Sequence, residues 1–432
     1  MKNSNRNALT RRSFLQGAAA LGALAQGHAF AAPGLFAAPR ILGGDPVSGS
    51  LVVVYLRGGA DFLNMIVPHR DKRYLAVRPT IGLTSEDGLI ELDRDWSLHP
   101  AMAPLKPLWD RGHLAPIVSA GSPHATRSHF DAQDFMEFAA PGDRTQRNGW
   151  VNRYLTATTP EETEPDHYRA VAMQRLLPRS LRGDFPVLAM SPDFGGREDT
   201  DALDAFAKFY GTDETPADPQ DMDDQMKPRA EDGEEVFSSG AVTIETMRRF
   251  QKILAASGEE QRGYPKTGFG RGLERIGQLF DSDAGLEVAG LDYNGWDHHT
   301  GQGGTDGNQA KMLGDLCKSL AAFCGHLGDR LDTTTIVVMT EFGRTVRENG
   351  NNGTDHGHGG GMLLIGGGVR GGEVHGDWEG LEDDDLYQGR DLRVTTDFRD
   401  VMGEVLRERM AFKLPKDFFG GYRAKKLKLF DL

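Results

Sequence analysis

The sequence predicts an α/β protein built on a largely parallel central sheet flanked by helices. Three observations carry this expectation. Residues 51–56 are a short, continuous apolar run, the pattern of a strand buried on both faces. Leu313, Leu316, Cys317, Leu320, Phe323 and Leu327 fall on one face of a helix. Directly after that helix, residues 333–340 form a β-branched run that stops at Glu341. A helix feeding a buried strand is the repeating unit of such folds.

In chain order, residues 1–31 read as an export signal. Thr10, Arg11, Arg12, Ser13, Phe14 and Leu15 have the twin-arginine pattern, an apolar stretch follows from Ala18 to Ala25, and Ala29-Phe30-Ala31 fits a small-x-small cleavage site. The apolar stretch is far shorter than the roughly 20 residues needed to span a bilayer. Residues 32–432 then form a single α/β domain, exported to the periplasm and without stable membrane insertion once the signal is removed. After the strand at 51–56 comes Arg57-Gly58-Gly59-Ala60-Asp61. A weaker strand at 113–118 leads to Ser122 and then to Ser128, placed to cap a helix with Asp131 three residues later. Helices are expected at 241–256, 269–281 and near 397–409, and a further strand at 362–365. The stretch 211–240 is rich in Asp, Glu, Pro and Gly and reads as an acidic, flexible insertion. Cys317 and Cys324 lie seven residues apart on the strong helix. That spacing rises about 10.5 Å, beyond the roughly 7 Å Cα limit of a disulfide, so both read as buried apolar residues.

The charge balance excludes one class of function. With 49 basic and 63 acidic residues the chain carries a net −14. Removal of the signal takes four of the basic residues and none of the acidic ones, leaving −18. Nucleic-acid binding requires a basic face, so it is not expected. The Gly366-Gly367-Gly368 segment opens no strong helix and has no acid about 20 residues on after a strand, which argues against a dinucleotide site.

In a parallel α/β sheet, ligands bind beyond the carboxyl ends of the strands. The polar residues that follow expected strands are therefore the informative ones: Asp61, the Ser122–His129 segment, Glu341, and His356 or His358. Asp297, His298 and His299 add a cluster in a glycine-rich loop. Carboxylates and neutral imidazoles are the usual ligands of borderline divalent metals. Ser128 is an N-cap residue and also a candidate nucleophile, since a helix N-terminus favours an oxyanion. Thr126 and Ser122 are further candidates. His124 and His129 are candidate general acids or orienting groups. Arg57, Arg127 and Arg344 each lie within four residues of a proposed site residue, suited either to an anionic substrate or to a salt bridge. Trp96, His99, Trp150 and Trp296 read as packing or rim residues.

The order Asp61, Ser128, Asp297 with His299, Glu341, then His356 or His358 resembles the alkaline phosphatase and sulfatase superfamily. A closer resemblance is to its twin-arginine-exported branch, the domain of unknown function 1501 family. It rests on Leu56 to Asp61, Arg127 to Asp131, Gly149-Trp150, Gly295-Trp296-Asp297, Thr340 to Thr345, Asp355-His356 and Thr395-Thr396-Asp397. The resemblance implies an alkaline-phosphatase-like fold over roughly residues 50–410. It also implies an exported metal-dependent hydrolase of phosphate or sulfate esters, with attack by Ser128. Asp61, Asp297, His299, Glu341 and His356 or His358 would hold a divalent metal: zinc, calcium, magnesium or manganese. The substrate would be an anionic small molecule or polymer ester, and the partner in export the twin-arginine machinery. The superfamily turn supplies adjacent Asp and His, whereas Glu341 is followed here by Phe342, so one metal position would lose an imidazole. That departure leaves a second expectation: a noncatalytic periplasmic binding or assembly factor that keeps the fold.

Overall fold

The computed structural model describes residues 49–431 except 161, 164, 196, 210–232, 258–261 and 283. The expected export segment 1–31 lies outside the described residues, as does most of the acidic stretch 211–240. Residues 233–240 open a helix rather than a loop.

The strands are β1 (Ser50–Arg57), β2 (Ile66–Val67), β3 (Ile90–Glu91), β4 (Ser97–Leu98), β5 (Leu114–Gly121), β6 (Ala170–Ala172), β7 (Leu188–Ala189), β8 (Val288–Asn294), β9 (Thr334–Thr340), β10 (Gly360–Ile365) and β11 (Thr396–Asp397). The helices are α1 (Phe62–Met65), α2 (Lys72–Val77), α3 (Lys106–Asp110), α4 (His129–Glu137), α5 (Trp150–Ala157), α6 (Arg197–Phe209), α7 (Gly233–Ala256), α8 (Gly268–Asp281), α9 (Asn308–Leu327) and α10 (Phe398–Glu404), the last continued by a π-turn at Val405–Arg409. Among the described residues no helix is long and apolar enough to cross a membrane.

The main sheet has eight strands in the order β11-β5-β10-β9-β1-β8-β6-β7. Neighbouring strands are parallel except around β10, which is antiparallel to both β5 and β9. A small sheet, β2-β4-β3, is antiparallel. β1 sits at the centre, paired along its length with β8 and β9, and its interior residues are all buried. This is why its sequence does not alternate: both faces are covered. Val52, Val54 and Leu56 face a core shared with Leu273, Ile276, Leu313 and Leu320 of α8 and α9. Leu51, Val53 and Tyr55 face a second core shared with Trp150 and Tyr154 of α5 and Phe398 of α10.

The topology places the site. β1, β5, β8 and β9 run the same way, so the loops after Arg57, Gly121, Asn294 and Thr340 leave from one rim. β10 runs the other way, which brings the loop that precedes it, carrying His356, to that same rim. Cys317 and Cys324 are buried free thiols on α9.

Candidate metal centre

Two glycines allow the rim loops to touch. Gly58 leaves β1 at φ +124°, and a Cβ there would lie 2.4 Å from the amide nitrogen of Asp297. Its own N–H donates to Glu341 Oε1 at 2.9 Å. Both the backbone angle and the close approach require glycine. Gly343 packs against the carbonyl of Gly359, where a Cβ would sit at 1.7 Å. That contact locks the turn after β9 to the segment entering β10. An isolated bridge between Arg344 and His356 continues it.

Within this frame His129, Asp297 and His356 bring one ligand atom each within 4.8 Å of one another. His129 Nε2 lies 3.4 Å from Asp297 Oδ2. His356 Nε2 lies 3.1 Å from Asp297 Oδ1, and His299 Nε2 lies 3.0 Å from both Asp297 Oδ1 and His356 Nε2. Three imidazoles therefore surround one carboxylate.

The partners on the far side of each ring assign the protons. His129 Nδ1 is 2.8 Å from Glu341 Oε1, His299 Nδ1 is 2.9 Å from Asp355 Oδ1, and His356 Nδ1 is 2.9 Å from the carbonyl of Arg127. Each partner can only accept, so each Nδ1 carries a hydrogen, and a ring in its neutral form then turns a bare Nε2 inward. His129 Nε2 is buried and has no hydrogen-bond partner. In the neutral form the lone pairs gathered around Asp297 suit a cation, of which the Arg344 guanidinium, 2.6 Å from Asp297 Oδ1, is one. The outward N–H bonds to carboxylate or carbonyl are those that orient metal-ligating imidazoles. The donor set thus fits a divalent metal, with His129, Asp297 and His356 at the centre and His299 beside them.

The electrostatics divide: those of Asp297 and His356 favour a carboxylate facing a neutral ring, whereas His129 is drawn toward its charged form. Burial alone would raise the Asp297 carboxyl, but hydrogen bonding and charge from Arg344, with His299 and His356, hold it at about 2. The Glu341 hydrogen bond raises His129 against the opposing effect of burial. Burial first, then the neighbouring His129, lowers His356. Glu341 itself is 1% exposed and stays low because the bonds from His129 and Gln133 outweigh desolvation. Phe342 lies against His129 and His356, with ring centroids 4.9 and 5.1 Å away, and forms an apolar wall to the cluster.

Several sequence-derived assignments find other places. Asp61 is 2% exposed and accepts from Arg78 at 2.5 and 3.0 Å and from Gln302 at 2.6 Å. It is the counter-charge of a fully buried guanidinium and stands outside the cluster. Glu341 lies one step behind it, holding His129. His358 is buried and stacks on Tyr387 at 4.2 Å, pushed down to about 4 by desolvation and then by Arg127 and His124, so His356 is the histidine of the cluster. His298 packs toward Trp296, leaving His299 to face the site. The three arginines are committed to carboxylates rather than open to a ligand. Arg57 bonds Glu137 and Asp292, Arg127 bonds Asp391, and Arg344 bonds Asp297 at 2.6 Å. For Arg57 and Arg344 burial is the reason, because a guanidinium removed from water requires a counter-charge. Ser128 sits at the N-cap of α4, yet its hydroxyl makes no capping bond. It is exposed and immediately precedes His129. Thr126 Oγ1 instead accepts the Ser128 N–H at 3.2 Å, Ser122 Oγ accepts the His124 N–H, and His124 lies edge-on to Phe135. Trp150 and Trp296 are fully buried, and Trp96 packs edge-on against Trp378.

Sequence reasoning gave no place to β8, to Arg78 or Gln302 around Asp61, or to Asp355 as an anchor. It placed His129 near the chemistry without making it a ligand. Asp355 had a local signal, since it directly precedes His356. Arg78 had none.

A family model described as a protein of unknown function, DUF1501, matches residues 48–413. No curated protein matches the chain. Solved structures with some likeness include Ps i-CgsB in complex with k-i-k-neocarrahexaose, at 9% identity, covering 88% of this chain and 75% of that one, with a TM-score of 0.39. Another is the C-terminal periplasmic domain of EcEptC from Escherichia coli in complex with Zn, at 9% identity, 74% of each chain and a TM-score of 0.34. A third is the phosphonate monoester hydrolase SpPMH from Silicibacter pomeroyi, at 12% identity, 88% and 78% coverage and a TM-score of 0.33.

Proposed function

The chain belongs to the DUF1501 family, and from that premise we propose that it is an exported metal-dependent hydrolase of phosphate or sulfate esters. The observation that carries the proposal is the convergence of three imidazole Nε2 atoms on Asp297, each imidazole with its Nδ1 spent on an outward acceptor. A set dominated by imidazole favours zinc or a similar transition metal over calcium or magnesium. A divalent metal bound there would polarise an ester oxygen and make a nearby hydroxyl or water more acidic. The chain's own residues supply the rest. Glu341 fixes the tautomer of His129, Arg344 fixes Asp297, Phe342 closes one side against water, and Ser128 offers an uncommitted hydroxyl beside His129. The ester class rests on the order of site residues along the sequence. Export through the twin-arginine pathway rests on Arg11 and Arg12. With both changed to Lys, the precursor is expected to stay in the cytoplasm, and the mature form beginning at Ala32 to vanish from the periplasm on immunoblots.

The deciding experiment is metal content of the exported protein beside an Asp297→Ala/His299→Ala variant and a His129→Ala variant. About one equivalent in the native protein, lost in both variants, supports the centre. A screen of phosphate and sulfate esters with Ser128→Ala as control then reads the reaction. Metal content unchanged in the variants overturns the site.

One observation favours a second reading, a noncatalytic periplasmic binding or assembly factor. Arg57, Arg127 and Arg344 are all engaged with carboxylates, so none of these three offers an uncommitted guanidinium to an ester's anionic oxygens. Metal-replete protein that binds a partner but turns over no ester would establish that reading.

A further inference from the structure

A cavity of about 230 Å³ opens beside the cluster, between the segment after β9 and the turn at residues 386–390. Asp355, whose Oδ1 receives His299 Nδ1, stands in its wall. Two arginines, Arg347 and Arg390, are among its lining residues, from separate parts of the chain. Arg390 donates through one nitrogen to the carbonyl of His356 at 3.1 Å, and its contact to Asp391 is a long 3.4 Å. Arg347 is exposed and makes no ion pair or hydrogen bond among the described residues.

The carboxylates of this cavity are committed elsewhere. Glu348 accepts from the Thr80 N–H and hydroxyl and from the Ile81 N–H, Asp383 pairs with Arg73, and Asp355 accepts from His299 and Asn349. The arginines beside the cluster proper are bound by carboxylates, whereas the cavity behind Asp355 retains an uncommitted one. A guanidinium fork in a small polar cavity matches a tetrahedral or planar oxyanion.

We propose that the cavity lined by Arg347 and Arg390 is a second anion subsite of the same centre, so that the substrate is an ester carrying a further oxyanion besides the one hydrolysed. The inference rests on the metal-centre reading for its link to the ester, but the subsite itself is separable from it. The scissile group would lie at the Asp297 cluster, and its second anionic group at Arg347 and Arg390.

The test uses inorganic phosphate and inorganic sulfate as probes, titrated calorimetrically into native protein, Arg347→Glu, Arg347→Lys and the metal-site variant Asp297→Ala/His299→Ala. Arg347 is exposed, so its variants are expected to fold, and melting curves verify this. Native protein is expected to bind one or both anions. Charge reversal is expected to weaken binding about tenfold or more with metal equivalents unchanged, and Arg347→Lys to restore part of it. The metal-site variant is expected to keep phosphate or sulfate binding, which separates the subsite from the metal. Native protein that binds neither anion, or an Arg347→Glu variant that binds as native protein does, overturns the subsite. Absence of metal from native protein would overturn the function proposed above and leave the anion result to stand or fall by itself.

Discussion

At the scale of residues, the same side-chain type does different work according to what burial demands of it. Asp61 and Asp297 both follow a central strand, yet Asp61 is bound by the fully buried Arg78 and Asp297 faces three imidazoles. Asp61→Asn is expected to lower stability by about 3–5 kcal/mol, since it leaves a buried guanidinium without its counter-charge. Metal equivalents of that variant should equal those of native protein, and denaturant melts beside metal analysis check both statements. Glu341→Gln is expected to do the reverse. The amide still fills the space, but the carboxylate that orients His129 is gone, and metal affinity should weaken about 10–100-fold in competition with a chromophoric chelator. The sequence made Asp297, His299, Glu341 and His356 legible as a group through their order along the chain and the resemblance that order carries. It could not show which of them touch the centre, because the difference between a ligand and its anchor is a rotation of one ring.

Among elements, legibility followed hydrophobic continuity. β1 and β9 read clearly because both faces of each are buried. β8 was invisible because Gly290, Asp292 and Asn294 break the run. A Cβ at Gly290 would meet Leu181 Cδ1 at 2.8 Å, so the leucine would have to shift, and Asp292 receives Arg57. The antiparallel course of β10 had no local signal, for direction is set by where the chain enters. Cap chemistry was only half legible as well. Ser128 occupies an N-cap without bonding as one, whereas His99, read as packing, caps the 3₁₀ turn at Pro100–Leu105. His99 Nδ1 accepts from the Ala101 N–H and Nε2 contacts the Gly304 carbonyl, so the ring is held neutral. Burial lowers its pKa below the ordinary 6.5. The unfolded chain therefore takes up this proton first as pH falls. The contribution of His99 is complete above about pH 6.5 and is lost below it. His99→Asn, which retains a capping acceptor, is expected to flatten that part of the stability-against-pH curve, as measured by urea melts between pH 7 and pH 5.

For the whole molecule, the centre ties together the loops that follow β5 and β8 and the one that precedes β10. A metal that binds only the folded arrangement stabilises it by mass action, by about 4 kcal/mol when free metal exceeds the dissociation constant a thousandfold. Chelation should lower the melting midpoint of native protein and leave that of Asp297→Ala/His299→Ala unchanged, a comparison made by scanning calorimetry. The acidic balance of −14 was legible at once and is the ground for expecting no nucleic-acid partner. Composition carries no information on which arginines remain unpaired, and so the cavity at Arg347 was not foreseeable.

The place of β10 has a consequence for when the centre comes into being. Among the described strands β5 pairs only with β10 and β11, and β10 alone joins it to β9 and the rest of the sheet. Until residues 360–365 have paired, nothing in the sheet holds α4 and its His129 opposite Asp297. A nascent chain displays Asp297 and His299 well before it can present His129 and His356 to them. Metal loading of the proposed centre would thus be confined to the closing steps of folding, after most of the polypeptide has left the ribosome. A chain arrested before residue 360 should emerge without the capacity to retain metal.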